Sequence, residues 1–171
     1  MSGEDASRAD ISIPGVQEEL VQALLDTGKP VVVVLMNGRP LTISKLTEQV
    51  PAIVEGWFLG TETGNAIADV LLGKYNPSGK LTMSFPRNVG QIPVFYNYRQ
   101  SGRPGTDKLT KWTNRFIDSP VSPLYPFGYG LSYTTFSYSA PRVSQKEFST
   151  NEILKVSVDA VSYTHLTLPT T

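Results

Sequence analysis

Apolar residues recur at helical spacing in three parts of this chain. Between residues 14 and 25 they occupy positions that one face of a helix would share, and Gly28 follows as a stop signal. These positions are Val16, Leu20, Val21, Leu24 and Leu25. The same spacing predicts a helix over residues 64–72, with Gly73 directly after its end, and a short helix over residues 44–49.

Continuous apolar runs predict strands between those helices. Residues 31–36 are mostly valine and end at Asn37-Gly38, which is typical of an inner parallel strand buried on both faces. Residues 52–58 and 80–85 are predicted as further strands, the latter closed by Pro86. Helices that alternate with such strands predict an α/β layered domain with a mainly parallel sheet.

The pattern changes class towards the C-terminus. Residues 88–125 have the composition of a loop, and residues 134–143 and 153–161 are predicted as strands, the opening of a β-sandwich that so few strands leave incomplete. The threonine-rich residues 162–171 break the pattern abruptly. We expect them to be a non-native tail of translated adapter sequence, the alternative being an ordinary frayed C-terminus.

Composition excludes several classes of function. Among the 171 residues, 15 basic and 15 acidic side chains cancel, so no net field favours nucleic acid or an anionic membrane. There is no cysteine and a single histidine, His165, in the predicted tail. A disulfide framework is therefore excluded. A Cys-His mechanism lacks its cysteine, and a Ser-His-Asp mechanism would have to use the histidine of the predicted tail. The longest apolar run, residues 30–36, is too short to span a bilayer.

Two stretches, NPSGKLTMSFPR (76–87) and LYPFGYGLSY (124–133), combine turn residues with aromatic ones. Pro77-Ser78-Gly79 is predicted as a turn in which glycine allows a positive φ. With MSGEDASRADISIPG (1–15) and the stretches at 28–41, 60–81 and 85–93, these motifs resemble glycoside hydrolase family 3, the β-glucosidase and β-xylosidase family. The resemblance covers nearly the whole chain before the tail.

The resemblance implies a fold and a division into domains. Members of the family carry a (β/α)8-like barrel, then an α/β sandwich, and often a fibronectin-like domain. Residues 1–133 would accordingly be a three-layer αβα sandwich with a mainly parallel sheet, and residues 134–161 the first strands of a truncated fibronectin type III-like domain. Residues 162–171 would be the tail.

The resemblance also implies chemistry. It suggests a retaining exo-acting β-glycosidase that removes terminal β-D-glucosyl residues, and the matching position makes Glu4 the general acid/base. The nucleophile, an aspartate, lies in the family's barrel, which is missing here, so the chain by itself is not expected to hydrolyse glycosides at a normal rate. No cofactor or metal is expected, and the family suggests a periplasmic or secreted protein.

Each candidate residue also has a simpler structural explanation. Taken alone, a glutamate close to a terminus is usually a solvated charge. Several aromatic side chains could stack on sugars, although core or interface packing is the commoner role. These are Trp57, Tyr96, Tyr98, Trp112 and Phe116. The alternative function is a non-catalytic carbohydrate-binding or interaction module, which would bind cellobiose without the barrel.

Two nucleotide or nucleic-acid motifs are incomplete. The turn at residues 60–64 lacks the third glycine of a dinucleotide fingerprint, and Gly79-Lys80 is followed by leucine and a predicted strand rather than by a P-loop hydroxyl and helix. We interpret both as structural turns. A basic cluster, best explained as a solvated loop, could suggest nucleic-acid binding; it comprises Arg99, Arg103, Lys108, Lys111 and Arg115.

Overall fold

The computed structural model describes residues 5–99, 102–107 and 112–164. Its described part contains three α-helices, two 3-10 turns and six short strands. In chain order they are α1 (Gln17–Leu25), β1 (Val32–Leu35), α2 (Ser44–Gln49), β2 (Ala52–Glu55), the 3-10 turn Gly60–Glu62, α3 (Thr63–Leu71), the 3-10 turn Val89–Gln91, β3 (Thr134–Tyr138), β4 (Arg142–Val143), β5 (Val156–Ser157) and β6 (Ala160–Thr164). None of the helices among these residues is long and apolar enough to cross a membrane.

The chain divides into two compact units, of which the first comprises Met1–Ile67 and Gly79–Gly130. Here β1 and β2 pair in parallel, from Val32 opposite Ala52 to Leu35 opposite Glu55, and α2 lies in the connection between them. This β-α-β arrangement is α/β, as the alternation of helices and strands predicts.

The core of the first unit lies around the carboxyl half of β1 and the helix α2. Its buried members are all apolar and belong to three separate stretches of sequence: Leu35, Ile43, Leu46, Val50 and Phe85. Val21 and Leu25 of α1 pack against this cluster, while Leu20 and Leu24 on the same helix stay exposed. One apolar face of α1 therefore supports the core.

Two predictions for β1 and its neighbours are wrong. Val32 keeps 48% of its surface exposed, and β1 pairs only with β2 among the described residues, so β1 is not a strand buried on both faces. Residues 80–85 form no strand; Phe85 alone makes an antiparallel bridge, to Tyr125. The main-chain hydrogen bonds of this stretch are at Leu81 and Phe85. The Ser84 hydroxyl accepts a hydrogen bond from the Phe127 amide, so a side chain takes a backbone donor that a regular β-ladder would pair with a carbonyl.

The predicted turn at Pro77-Ser78-Gly79 is also wrong, since Gly79 has no positive φ and no turn is formed there. Glycine is needed elsewhere. Gly28 and Gly73 follow the ends of α1 and α3 with φ of 72° at each, as expected of helix stop signals. A Cβ on Gly130 would come within 2.5 Å of the Gly79 carbonyl oxygen, so Gly130 allows two loops to approach closely.

The second unit comprises Ala68–Ser78 and Leu131–Thr171. Its strands form two antiparallel pairs, β3 with β6 and β4 with β5. The predicted strands at 134–143 and 153–161 are thus each divided. β6 includes the first three residues of the predicted tail, whereas 165–171 lie outside the described residues. The fibronectin type III-like domain and the origin of the tail stay predictions.

Asn76 organises the entry to β3. Its amide nitrogen donates to the Thr134 hydroxyl at 2.8 Å, and its oxygen accepts from the Ser132 hydroxyl and the Tyr133 amide, also at 2.8 Å. The Tyr133 hydroxyl donates to the Val70 carbonyl at the end of α3. The two motif stretches are therefore in direct contact, through an asparagine that satisfies three polar groups.

Candidate active site

Glu4, the acid/base candidate, lies outside the described residues, which begin at Asp5. Asp5 has φ of 56°, a left-handed conformation that costs a non-glycine residue about 1–2 kcal/mol, though aspartate tolerates it better than most. Such conformations concentrate at functional sites. The backbone directly after Glu4 is thus held in an uncommon state.

The segment that follows Glu4 is attached to the first unit at two points. Arg39 Nη1 donates to the Arg8 carbonyl oxygen at 2.6 Å. The Thr42 amide donates to the Ile11 carbonyl oxygen at 2.9 Å, and Ile11 is buried. A parallel bridge between Ser12 and Thr42 continues this pairing. Residues 8–12 therefore run alongside residues 39–42.

Asp10 closes a small turn within this segment. Its Oδ1 accepts from the Ser12 amide at 2.9 Å and from the Ser12 hydroxyl at 2.7 Å. These bonds, the backbone one first, hold the pKa of the Asp10 carboxyl below its ordinary value. Asp10 is therefore a stable anion that shapes the turn, which is the opposite of what a proton donor requires.

Polar side chains gather where β1 and β2 end, as the carboxyl edge of a parallel sheet favours. Asn37 follows β1, and its amide nitrogen donates to the Arg39 carbonyl at 2.6 Å. Glu55 is the last residue of β2, and its Oε1 accepts from the Trp57 amide at 2.9 Å. A cleft of about 200 Å³ lies beside the end of β1, and Arg8, Asn37 and Arg39 contribute to its lining, whereas Glu55 does not.

Glu55 is a half-buried carboxyl group. Burial raises the pKa of Glu55 above its ordinary value, and the hydrogen bond from the Trp57 amide together with the nearby Asn37 side chain only partly opposes this. Within the described part of the chain, Glu55 Oε2 and Asn37 Oδ1 are buried without a hydrogen-bond partner. The edge of the sheet thus carries a carboxyl that retains its proton to a higher pH than an ordinary glutamate does.

Replacing Glu55 with glutamine is expected to stabilise the fold more near pH 8 than near pH 4. Because folding raises the Glu55 pKa, its stabilising contribution is fully present below the ordinary pKa and is lost as pH rises through the raised value. Glutamine keeps the shape and an acceptor for the Trp57 amide but carries no charge. Urea unfolding across this pH range measures the difference, with Glu48→Gln on the exposed side of α2 as the control. A stabilisation by Glu55→Gln that does not grow with pH contradicts the prediction.

The aromatic candidates take different positions. Trp57 packs against the core cluster, with its ring centroid 5.8 Å from that of Phe85, which confirms the packing interpretation for this residue. Tyr96 is exposed, and its ring centroid lies 5.0 Å from that of Phe127. The ring centroids of Tyr98 and Phe95 are 5.7 Å apart. Phe116 is exposed, and Trp112 lies under the Arg103 guanidinium at 5.7 Å.

The phosphate-site and basic-cluster alternatives find no support. Residues 60–62 form a 3-10 turn. There the Glu62 carboxylate, which would repel phosphate, accepts a hydrogen bond from the Asn65 side-chain nitrogen at 2.6 Å. The Lys80 ammonium donates to the Gly130 carbonyl, so it supports a loop. Of the basic cluster, Arg103 stacks on Trp112, while Lys108 and Lys111 fall outside the described residues.

Gln91 organises the long loop, a role that the sequence analysis missed. This side chain is 6% exposed, and its amide nitrogen is within 2.9 Å of the Val121 and Ser122 carbonyl oxygens. Its oxygen accepts the Arg87 amide at 2.8 Å. Asp107 accepts from Ser122 and Val121, which lowers the Asp107 pKa. A glutamine inside a loop gives no sequence signal for such a role.

Residues 1–133 match the glycosyl hydrolase family 3 C-terminal domain, and the chain belongs to glycoside hydrolase family 3. Among curated proteins, it is 53% identical over 163 residues to a periplasmic β-glucosidase of Salmonella typhimurium and 49% identical over 160 residues to a β-xylosidase of Formosa agariphila. These matches cover 95% and 94% of this chain but 21% of each relative. The chain thus spans about a fifth of their length.

Solved structures of β-glucosidases also match this chain. The β-glucosidase of Listeria innocua in complex with isofagomine matches with a TM-score of 0.81 at 46% identity, over 91% of this chain and 22% of that one. A D270A mutant of the same enzyme, in complex with laminaribiose, matches with a TM-score of 0.79. The family resemblance of the sequence motifs is thereby confirmed.

Proposed function

We propose that this chain is a segment of a retaining exo-acting β-glucosidase and that Glu4 is its general acid/base. The observation that carries the proposal is the match of residues 1–133 to a domain of family 3 glycoside hydrolases, with relatives named for β-glucosidase and β-xylosidase activity. In the whole parent protein, we expect residues 1–133 to belong to a three-layer αβα sandwich and the nucleophilic aspartate to lie in a barrel earlier in the same chain. The Salmonella relative's name supports a periplasmic location.

The chemistry requires two carboxyl groups on opposite sides of the scissile bond, about 5–5.5 Å apart in retaining enzymes. Protonated Glu4 gives its proton to the glycosidic oxygen as the bond from that oxygen to the anomeric carbon breaks, while the aspartate bonds to the same carbon. The Glu4 carboxylate then takes a proton from water, whose oxygen displaces the aspartate. Two inversions leave the released sugar in the β-configuration.

A transplant tests this proposal. The matching segment of the Salmonella β-glucosidase would be exchanged for this chain, and hydrolysis of 4-nitrophenyl β-D-glucoside and β-D-xyloside compared with the intact relative. We expect glucoside turnover within about tenfold of the relative (~1.4 kcal/mol in barrier) and β-glucose as the first product by NMR.

The deletion variant of the relative, without the segment, is the control and should be inactive. A chimera that folds, as judged by circular dichroism and melting, and yet hydrolyses neither glycoside would overturn the proposed function. Faster hydrolysis of the xyloside would retain the reaction type and reassign the sugar.

A further inference from the structure

Two buried oxygen atoms lack a hydrogen-bond donor at the carboxyl ends of the parallel strands. Among the described residues, Glu55 Oε2 and Asn37 Oδ1 are the buried side-chain atoms without a hydrogen-bond partner. Unpaired buried polar atoms are rare in folded proteins because they lose the hydrogen bonds that water would provide. Both atoms are acceptors, so they can satisfy each other only if a hydrogen lies between them.

The register of the sheet brings these two side chains together. Leu35 lies opposite Glu55, and the Gly56 amide continues the pairing by donating to the Leu35 carbonyl oxygen at 2.8 Å. Because side chains alternate along extended chain, Asn37, two residues after Leu35, is placed on the same face as Glu55. The Asn37 side chain acts on the Glu55 carboxyl but makes no hydrogen bond to its Oε2. The two groups are therefore neighbours that lack a donor.

The amide of Asn37 has a fixed orientation. Its Nδ2 donates to the Arg39 carbonyl oxygen at 2.6 Å. Turning the amide over would place Oδ1 against that carbonyl oxygen, with two acceptors face to face. The nitrogen is thus committed to Arg39, and Oδ1 is the atom that remains for Glu55.

The other oxygen of Glu55 holds Trp57. Glu55 Oε1 accepts the Trp57 amide at 2.9 Å, and Trp57 has φ of 49°, a left-handed conformation that is uncommon for a bulky residue. The Trp57 ring packs against Phe85 in the core. The orientation of the Glu55 carboxyl therefore affects both the end of β2 and the core next to it.

We propose that Glu55 and Asn37 form a proton-dependent clamp, in which the neutral Glu55 carboxyl donates the hydrogen on Oε2 to Asn37 Oδ1. One proton then satisfies both unpaired atoms and joins the carboxyl ends of β1 and β2. When the carboxyl ionises, both atoms become unpaired acceptors again, and the strand ends open more readily. Burial raises the Glu55 pKa, which agrees with a carboxyl that retains this proton. The inference does not depend on the proposed function.

Neighbouring charges do not account for this behaviour. No ionised side chain of the described residues acts on the Glu55 carboxyl. The charged residues Arg8, Asp10 and Arg39 line the cleft beside the end of β1, which Glu55 does not line. On the core side, the Tyr125 hydroxyl carries no charge below its raised pKa. The titration of Glu55 is therefore expected to respond to Asn37.

Hydrogen exchange of the Gly56 and Trp57 amides measures the clamp locally, because these amides are bonded to Leu35 and Glu55. The chimera with the Salmonella enzyme would be followed by mass spectrometry between pH 4 and pH 8, with rates corrected for the intrinsic effect of pH. We expect Asn37→Ala to accelerate exchange by about threefold to tenfold more near pH 4 than near pH 8, the size of one hydrogen bond. In the Glu55→Gln background, whose side-chain nitrogen can donate to Asn37 at every pH, the effect of Asn37→Ala should be the same at both ends of the range.

Matched variants control for general effects. Asn88→Ala removes an exposed asparagine that bonds Ser119, and it should leave exchange at Gly56 and Trp57 unchanged at every pH. If melting shows that Asn37→Ala folds poorly, Asn37→Asp replaces it. A second carboxyl beside Glu55 must compete for the same proton, so exchange should then accelerate more steeply with pH than in the unsubstituted chimera.

Three results would overturn the clamp. An equal effect of Asn37→Ala near pH 4 and near pH 8 would mean that no titrating proton joins the two side chains. A larger effect near pH 8 would mean that Asn37 donates to an ionised carboxylate instead. A pH dependence that persists in Glu55→Gln would assign the titration to another group.

Discussion

Replacing Glu4 with glutamine in the chimera is expected to lower kcat/KM for phenyl β-D-glucoside by about 10²–10⁴-fold, the usual contribution of a positioned general acid. Glutamine matches the size of glutamate but cannot transfer a proton. The alkaline limb of the pH profile of kcat/KM, which reports the acid of the free enzyme, should disappear with it. Glu48→Gln, on the exposed side of α2, is the matched control and should retain full activity.

The leaving group separates the two tasks of Glu4. With 2,4-dinitrophenyl β-D-glucoside, formation of the glycosyl-enzyme needs no acid, so Glu4→Gln should slow only its hydrolysis, which needs a base to activate water. Azide attacks without a base, so it should accelerate turnover of the variant and give β-glucosyl azide. A loss that is the same for every leaving group and is not rescued by azide would contradict the assignment.

Only the part of the candidate site that lies within the ordered family motifs could be predicted from the sequence. The ordered motifs of the family indicate Glu4, whereas a glutamate near a terminus has no distinguishing pattern of its own. No local pattern distinguishes Arg39. Its contact with Arg8 spans 31 residues, and such pairings depend on the tertiary fold rather than on any local period. Asn37 and Glu55 carried one usable signal, because each stands at the carboxyl end of a parallel strand.

Secondary structure followed local pattern where packing agreed with it. The helix predicted over residues 44–49 has those bounds, and α1 and α3 differ from prediction by a few residues at their ends. The alternation of residues 80–85 resembled a strand, but only Phe85 bridges to Tyr125. In the sequence, nothing shows that Ser84 uses its hydroxyl to hold Phe127. A strand requires a partner as well as a period.

The two aromatic motif stretches, residues 76–87 and 124–133, are in direct contact with each other. Gly130 leaves no room for a side chain beside the Gly79 carbonyl, and Asn76 binds Ser132, Tyr133 and Thr134. The identity of these residues is thus explained by loop contacts rather than by chemistry on a substrate. This accounts for motifs that mark the family while containing no catalytic candidate.

Truncating Phe85 to alanine is expected to destabilise the first unit by about 3–5 kcal/mol, the usual cost of removing a fully buried phenylalanine. Phe85 is 2% exposed and lies between the rings of Trp57 and Tyr125, at 5.8 and 6.4 Å. Its backbone also bridges to Tyr125. The residues around Phe85 belong to separate segments and cannot move into the vacated space without breaking that bridge. Most of the cavity left by the truncated side chain should therefore remain.

Pulse proteolysis of the chimera in urea, with detection of peptides from this segment, measures the shift in its unfolding midpoint. Phe148→Ala, which removes a 56% exposed ring from the second unit, is the matched control and should shift the midpoint little, as surface substitutions usually do, within about 0.5 kcal/mol. Phe85→Leu, which keeps most of the volume, should lose less than Phe85→Ala. Equal shifts for Phe85→Ala and Phe148→Ala would mean that Phe85 does not anchor the core, and that residues 76–87 are placed by their backbone bonds alone.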